Sequence, residues 1–401
     1  MKYWAGYVTA AILGAIAWAL GQLADRYSTL VDMIYPYVTR TIQDVLAQWS
    51  SSVDFCLWQI WLMLLIIGAV AGLVLVIIMH WNPIRFVGWV LAVISCLYLG
   101  NTLAYGLNYY AGSIATDIRM QVYEYTVDEL KDAATYYRDQ ANALAEQMPR
   151  DSKGDLVYSE VDVLAEQAGS GFQTLVRERS FSVMGGSNLP VKKLGWSAMY
   201  TATGTTGITV GLTGEAAVNP NIPDVSMPFT ICREMAHRKC IATEGDSNFA
   251  AFLACQANES LEFRYSAYYM AYRYCSMALS NAKSNEAKLA AEEVAQGENE
   301  QLRHDMEAYK RFFRRNLDEK ASRLANTVTD TYLKFNGDED GVDSTNSVSD
   351  LLVSWHYQEV VLPTITEENV IFDPKDESQV DLTTTQVPPE TEPTEEVTEG
   401  E

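Results

Sequence analysis

The sequence predicts a mainly α-helical membrane protein: three N-terminal transmembrane helices, then an α-rich domain with a small β element. Three observations support this fold class. Long, uncharged apolar runs occur only near the N-terminus. The chain after residue 110 is charged and carries apolar residues at helical spacing. Only residues 200–218 are rich enough in Thr, Gly and Val to predict strands.

The three apolar runs cover residues 4–20, 56–79 and 86–107. A helix that crosses a bilayer needs roughly 20 predominantly apolar residues, so each run predicts one crossing. The first run could instead be a signal peptide. Only Lys2 precedes it, however, and Gly21 to Ala24 form a poor cleavage site, so we interpret it as a spanning helix.

The charges between the runs predict the orientation. The short turn between the second and third runs carries His80 and Arg85 and no acidic residue. Because cytoplasmic loops carry an excess of basic residues, we place this turn in the cytoplasm. The N-terminus is then also cytoplasmic, and the domain after about residue 110 lies outside.

Composition divides the chain into a membrane region (1–110), an external domain (111–360) and an acidic tail (361–401). The tail is rich in Thr, Pro and Glu and is predicted to be disordered, since it has too few apolar residues to fold.

The net charge of −23 argues against a nucleic-acid partner, because phosphate binding needs a basic surface. The predicted partners are a lipid membrane and an external peptide or protein.

Within the external domain, periodicity predicts a series of helices. They cover residues 114–147, 160–178, 229–238, 246–256, 261–277, 283–334 and 348–357. Four cysteines, Cys232, Cys240, Cys255 and Cys275, fall in this domain. They are either buried small residues or include at least one disulfide, which an external location permits. Their spacing does not predict a cysteine zinc site.

The helix at 229–238 contains an incomplete zinc-protease motif, Arg233-Glu234-Met235-Ala236-His237. A zincin carries His-Glu-x-x-His, in which the two histidines bind Zn²⁺ and the glutamate is the general base. Here Arg233 stands at the position of the first histidine, and a guanidinium has no lone pair for a metal. The guanidinium could instead neutralise neighbouring carboxylates, those of Glu234 or Glu244, through bidentate bonds.

Longer segments around this motif resemble one family. They are residues 207–219, 228–237, 247–255, 263–268 and 331–337, together with 106–110 after the third apolar run. The sequence resembles a family of bacterial membrane proteins of unknown function that have about three membrane helices and an external zinc-peptidase-like domain. The resemblance implies a zincin-like (gluzincin-type) fold and a multi-pass protein of the bacterial cytoplasmic membrane with its main domain extracytoplasmic.

The resemblance also implies roles for particular residues. Glu234 corresponds to the catalytic base and His237 to a zinc ligand, with Glu244 as the third ligand and Asp246 as the alternative. Arg233 departs from the family pattern at the first ligand, and Cys240 departs where a glycine usually ends the motif helix. The segment before the motif gives the candidate substrate or partner contacts, namely Gly211, Thr213, Glu215 and Asn219.

Two functions remain open from the sequence. One is an active, membrane-anchored zinc metallopeptidase that hydrolyses peptide bonds outside the cytoplasmic membrane. The other is a pseudo-peptidase that binds an external peptide or protein without cleaving it. Arg233 favours the second, because His237 and one carboxylate rarely hold Zn²⁺ without a third ligand. Zinc binding therefore stays open, and no other cofactor is predicted.

Overall fold

Three helices of the computed structural model, which describes residues 4–338 and 347–364, are long and apolar enough to cross a membrane. They are α1 (Ala5–Arg26), α3 (Leu57–Ile78) and α4 (Pro83–Ala104). Their length and composition indicate association with a lipid membrane, and they match the three predicted runs. α1 and α4 cross at a close backbone contact: a Cβ at Gly6 would lie 2.4 Å from the carbonyl carbon of Gly88. Small residues at such a crossing allow two helices to approach closely.

A further long helix, α2 (Ser28–Ser50), lies between the first two apolar helices, where the sequence predicted none. It has Pro36 in its interior, and its buried residues are small or polar. They follow helical spacing: Thr39, Gln43, Ala47 and Ser50. Gln43 donates hydrogen bonds to the carbonyls of Ala104 and Gly211, so α2 joins the end of α4 to the domain that follows.

The predicted helix over 114–147 is wrong at its start. After a 3₁₀ turn at Gly106–Tyr110, α5 (Ile114–Asp117) is only one turn long, and Arg119 has a left-handed φ of 60°. The long helix α6 (Val127–Ala145) begins where the Thr126 side chain and Glu129 form a capping box. This cap starts a new helix within the stretch that periodicity predicted to be one continuous helix.

The predicted helix over 283–334 is likewise three helices, α13 (Asn285–Gln296), α14 (Glu300–Asn316) and α15 (Glu319–Phe335). Side chains of Ser284, Asn299 and Asp318 cap their N-termini. The other helices are α7 (Val161–Gln167), α8 (Gly169–Arg179), α9 (Ser197–Thr203), α10 (Met227–Arg238), α11 (Glu244–Gln256), α12 (Leu261–Asn281) and α16 (Ser347–His356), followed by a π turn at Tyr357–Val361.

The described part of the chain has one three-stranded sheet, in the order β1–β3–β2. β1 (Lys192–Lys193) is parallel to β3 (Glu215–Val218), and β2 (Gly207–Val210) is antiparallel to it. The predicted strand region 200–218 contains this hairpin, but its first four residues, 200–203, belong to α9 instead. β2 is an edge strand, and the β2–β3 hairpin packs against α10.

The hydrophobic core of the domain surrounds α12, which packs against α6, α10, α11 and α13. Tyrosines of α12, Tyr265, Tyr269 and Tyr272, are almost completely buried, as are Phe249 and Phe252 of α11. All six cysteines are free thiols. The predicted disordered tail lies mostly outside the described residues, since it includes 365–401.

Candidate functional site

Helix α10 places the three motif side chains on a buried surface. Met227 and Pro228 form its first turn, where the missing N–H of proline costs no helical hydrogen bond. Arg233 and His237 are four residues apart and therefore share one helix face. Glu234 is 1 % exposed and His237 is 7 % exposed, so the charges of the motif are largely removed from water.

Arg233 is paired with two carboxylates. Its Nη2 lies 2.6 Å from Oε1 of Glu234, and its Nη1 lies 3.7 Å from Oε2 of Glu244. Nη2 also donates a 3.2 Å hydrogen bond to the hydroxyl of Thr206. The guanidinium thus pairs with both Glu234 and Glu244, which the sequence predicted as one alternative.

Glu244 connects Arg233 to His237. It is the first residue of α11, whose N-terminus is capped by the Thr243 hydroxyl. The Glu244 Oε1 lies 3.6 Å from Nε2 of His237. The other ring nitrogen, Nδ1, lies 3.0 Å from the carbonyl oxygen of Ile241. This carbonyl fixes the ring so that Nε2 faces Glu244, as an outer hydrogen bond does for many metal-binding histidines.

The charges of this cluster stabilise one another. Burial favours neutral Glu244, but Arg233 and His237 outweigh it and lower the pKa of Glu244 to about 2. Burial also disfavours protonated His237, yet the nearby Glu244 carboxylate raises the pKa of His237 above its ordinary value. The pKa of Arg233 is raised because Glu234 and Glu244 outweigh its burial. The cluster therefore holds two carboxylates with one permanent cation and one titratable imidazole.

Strand β2 passes directly beside this cluster. The Thr209 hydroxyl donates a 2.8 Å hydrogen bond to Oε2 of Glu234. A Cβ at Gly207 would lie 2.4 Å from Oε1 of the same carboxylate, so only glycine leaves room for Glu234 at this position. The strand thereby holds Glu234 from the side opposite its ion pair with Arg233.

The outer edge of β2 has unused backbone groups. The N–H of Asn219 donates to the carbonyl of Thr206, which makes these two residues a hydrogen-bonded pair of the hairpin. Because such pairs alternate along an antiparallel ladder, the backbone groups of Gly207 and Thr209 point away from β3. Within the described ranges, no strand or side chain hydrogen-bonds to them. They are half-buried and lie at an open edge.

The donor set as it stands does not fit catalytic zinc. His237 and Glu244 are two ligands, whereas catalytic zinc sites use three protein ligands and one open position. Arg233 offers no lone pair and lies against Glu244. In the part of the chain that the structure describes, no group of three His, Cys, Asp or Glu side chains could hold a metal ion.

Cys240 does not complete the ligand set. Burial raises the pKa of its thiol to about 11, so it does not present a thiolate. Its backbone has a left-handed φ of 71°, at the position after helix α10 where glycine is most favourable. A residue with a β-carbon is strained in this conformation, so the backbone at Cys240 is unfavourable for a cysteine.

Asp246 lies apart from the motif. Its carboxylate accepts a 2.7 Å hydrogen bond from Ser113, and burial raises its pKa. Glu215 is also engaged elsewhere: its buried carboxylate accepts hydrogen bonds from the backbone of Leu57 and Trp58 and forms a 2.7 Å ion pair with Lys192. It therefore holds the N-terminus of α3 against the sheet.

The remaining candidate contacts occupy the hairpin. Asn219 is fully buried and donates to Thr201 and to the carbonyl of Thr205. Gly211 and Thr213 belong to the turn between β2 and β3, and a Cβ at Gly211 would collide with Tyr105. These contacts lie inside the protein, and none brings the side chain to the Arg233 cluster.

A cavity of about 270 Å³ adjoins the cluster and is lined by Arg233, Asn248, Tyr274 and neighbouring aromatic residues. Sequence reasoning did not identify Thr206, Gly207, Thr209, Asn248 or Tyr274 as part of this region. Gly207 and Thr209 lie within a matched segment and Thr206 directly precedes it, but the pattern does not show which hydroxyl reaches Glu234. Tyr274 donates to Oδ1 of Asn248, a contact between two helices that spacing cannot reveal.

The matching family model covers residues 31–353 and describes a protein of unknown function, DUF3810. The chain belongs to the DUF3810 family. This match includes most of α2, the apolar helices α3 and α4, the sheet, the motif helix and most of α16. No curated protein and no solved structure showed significant similarity to this DUF3810 member.

Proposed function

We propose that this chain is a membrane-anchored, zincin-like pseudo-peptidase that binds an extended peptide segment of an external partner without cleaving it. The observation that carries the proposal is the ion pairing of Arg233 with both Glu234 and Glu244. The guanidinium takes the charge-balancing role of the metal, and it cannot activate a water molecule as zinc does.

The edge of β2 supports a binding role. An extended peptide can add a strand to an exposed sheet edge, with main-chain hydrogen bonds giving affinity. The outward backbone groups of Gly207 and Thr209 offer such hydrogen bonds, and Thr209 also contacts Glu234. A peptide paired with β2 would therefore pass the Arg233 cluster and reach the adjoining cavity.

The apolar helices support the proposed location. With His80 and Arg85 on the cytoplasmic side, α1, α3 and α4 cross the bacterial cytoplasmic membrane and leave the domain outside. The partner is then an external peptide or protein. An active metallopeptidase remains the alternative, because His237 still presents Nε2 to Glu244 as a metal ligand would.

Selection from a displayed library of random decapeptides, with the protein in detergent, tests this proposal. We expect the wild-type protein to enrich peptides and Thr209→Pro to lose them, because proline removes an outward N–H and disfavours strand pairing. Thr209→Val is the matched control: it keeps the backbone N–H and loses only the hydroxyl on Glu234. Failure of the wild type to enrich any peptide would refute the binding role.

The enriched peptides also distinguish a pseudo-peptidase from an active metallopeptidase. We expect the enriched peptides to remain intact during incubation with the purified protein. Chelator-sensitive cleavage, together with one zinc per chain by elemental analysis, would instead establish the metallopeptidase.

A further inference from the structure

Arg273 is a cation with no counter-ion among the residues that the structure describes. It lies on α12, lines the 270 Å³ cavity beside Arg233, and has its guanidinium carbon 4.7 Å from the centre of the Tyr309 ring. Among the described residues it forms no ion pair and donates no hydrogen bond. Stacking on an aromatic ring uses the face of the guanidinium and leaves its N–H groups available in the plane.

The residues that line the cavity provide no negative charge for Arg273, so an anionic ligand would be needed to neutralise it. None of the residues around the cavity that the structure describes is acidic. Glu234 and Glu244 pair with Arg233, and neither carboxylate forms an ion pair with Arg273, so the guanidinium of Arg273 keeps its N–H groups available. In a chain with a net charge of −23, a cationic cavity without a carboxylate is a specific feature.

Part of the cavity wall is aromatic. Phe229, Tyr274, Tyr309 and Phe313 line the same cavity. Aromatic walls bury apolar surface, and a guanidinium binds a carboxylate through two parallel hydrogen bonds. A group that carries a carboxylate next to an apolar side chain satisfies both features. The C-terminal residue of a peptide is such a group.

We propose that this cavity binds the carboxylate of a peptide through Arg273, with the C-terminal carboxylate of an apolar or aromatic residue as its ligand. The peptide origin of the ligand rests on the proposed function, whereas the carboxylate site can be tested alone. The cavity would fix which end of a bound peptide lies next to the Arg233 cluster.

Fluorine NMR with para-fluorobenzoate as the probe tests the site. We expect the wild-type protein to bind it about tenfold or more tightly than the neutral para-fluorobenzamide, as one charge-assisted pair predicts. Arg273→Gln should abolish this preference, and Arg273→Lys should retain part of it. Arg264→Gln removes an exposed charge from the same helix and should leave the preference unchanged.

Displacement of the probe distinguishes the source of the carboxylate. We expect N-acetylphenylalanine to displace it better than N-acetylphenylalanine amide or a glutamate derivative that has only its side-chain carboxylate. Stronger displacement by the glutamate derivative would overturn the C-terminal assignment. Equal binding of the benzoate and the benzamide, or a preference that survives Arg273→Gln, would overturn the site itself. These results do not depend on whether any library peptide binds β2.

Discussion

The Arg233 guanidinium lies 2.6 Å from the Glu234 carboxylate, although the two residues are neighbours in sequence. Consecutive helix residues normally point in different directions, so this contact requires the Arg233 side chain to fold back along α10. It does so in a pocket formed by Thr206 and Glu244. Arg233 therefore lies in the centre of the site and does not extend to solvent.

Replacing Arg233 with histidine should create a zinc site. The substitution places two imidazoles four residues apart with Glu244 nearby, which is three protein ligands with one position free. We expect well under one zinc per chain in the wild type and about one in Arg233→His. Elemental analysis after dialysis measures both. Zinc at 100 times its Kd should also stabilise the variant by about 2.7 kcal/mol, and it should leave Arg233→Ala unchanged. Stoichiometric zinc in the wild type would contradict the expectation.

Removing the Arg233 charge should destabilise the domain. Glu234 and Glu244 would keep buried negative charges without their cation, and loss of one partner of a buried pair costs about 3–5 kcal/mol. Denaturant unfolding of Arg233→Ala measures this cost. Arg323→Ala is the matched control, because its pair with Glu319 is exposed and should contribute less than about 0.5 kcal/mol. Similar unfolding midpoints for both variants would show that Arg233 is not paired in solution.

The His237–Glu244 contact should make stability depend on pH in two directions. The lowered pKa of Glu244 gives stability that is present above its unfolded value of 4.5 and lost as pH falls towards 2. The raised pKa of His237 gives stability that is present below 6.5 and lost as pH rises through the folded value. The stabilisation by His237, measured as the Tm of the wild type minus that of His237→Gln, should therefore be larger at about pH 6 than at about pH 8.5.

A variant assigns the alkaline part of this profile to one residue. The Tm values of the wild type and His237→Gln should approach each other between these two pH values, since the variant has no imidazole that can lose a proton. His304→Gln, which removes a histidine paired with Asp155 at the surface, should keep the wild-type profile. A Tm difference between the wild type and His237→Gln that does not become smaller as pH rises would contradict a stabilising contact between His237 and Glu244.

The orientation of the domain can be measured by cysteine labelling on intact cells. Ser152 is exposed in the domain, and Trp81 is exposed in the short turn between α3 and α4. We expect an impermeant maleimide to label Ser152→Cys on intact cells and Trp81→Cys only after the membrane is broken. Wild-type protein gives the background, because five of its cysteines are buried and Cys96 lies on α4. The reverse pattern would place the domain in the cytoplasm.

The link between Glu215 and α3 should be a major source of stability. Glu215→Ala leaves Lys192 without its carboxylate and removes two acceptors from the N-terminus of α3, at a cost of about 3–5 kcal/mol. Denaturant unfolding in detergent measures the loss. Lys193→Ala, next to Lys192 on β1, breaks only an exposed pair with Asp162 and should change stability by less than about 1 kcal/mol. Equal effects of the two substitutions would contradict this role.

The features that depend on local sequence were predictable. The apolar helices α1, α3 and α4 follow from runs of apolar residues, and α10 follows from its periodicity and motif. Helix α2 was not predicted, because Pro36 interrupts it and its buried face, which includes Thr39 and Gln43, is polar. Burial of such a face depends on partners that are distant in sequence.

The candidate site also combines residues that local sequence identified with contacts that depend on the folded chain. The sequence identified Arg233, Glu234 and His237 from their spacing, and Glu244 from the resemblance. It could not place Gly207 and Thr209 against Glu234, since that contact depends on the register of the hairpin. It also assigned Glu215 to substrate or partner contacts, whereas the folded chain brings this carboxylate to Leu57, which precedes it by 158 positions.

The contact between Glu215 and Leu57 also determines where a ligand can approach. Glu215 begins β3 and binds the first residue of α3, and its partner in register is Val210, the last residue of β2. Strands are about 5 Å apart and rise about 3.3 Å per residue, so all of β2 lies within roughly 15 Å of the end of α3. With α3 in the bilayer, the open edge of β2 is close to the lipid headgroups, whose layer is roughly 5–8 Å thick on each side. Short peptides and segments tethered to the same membrane are therefore the partners that we expect to reach this edge most readily.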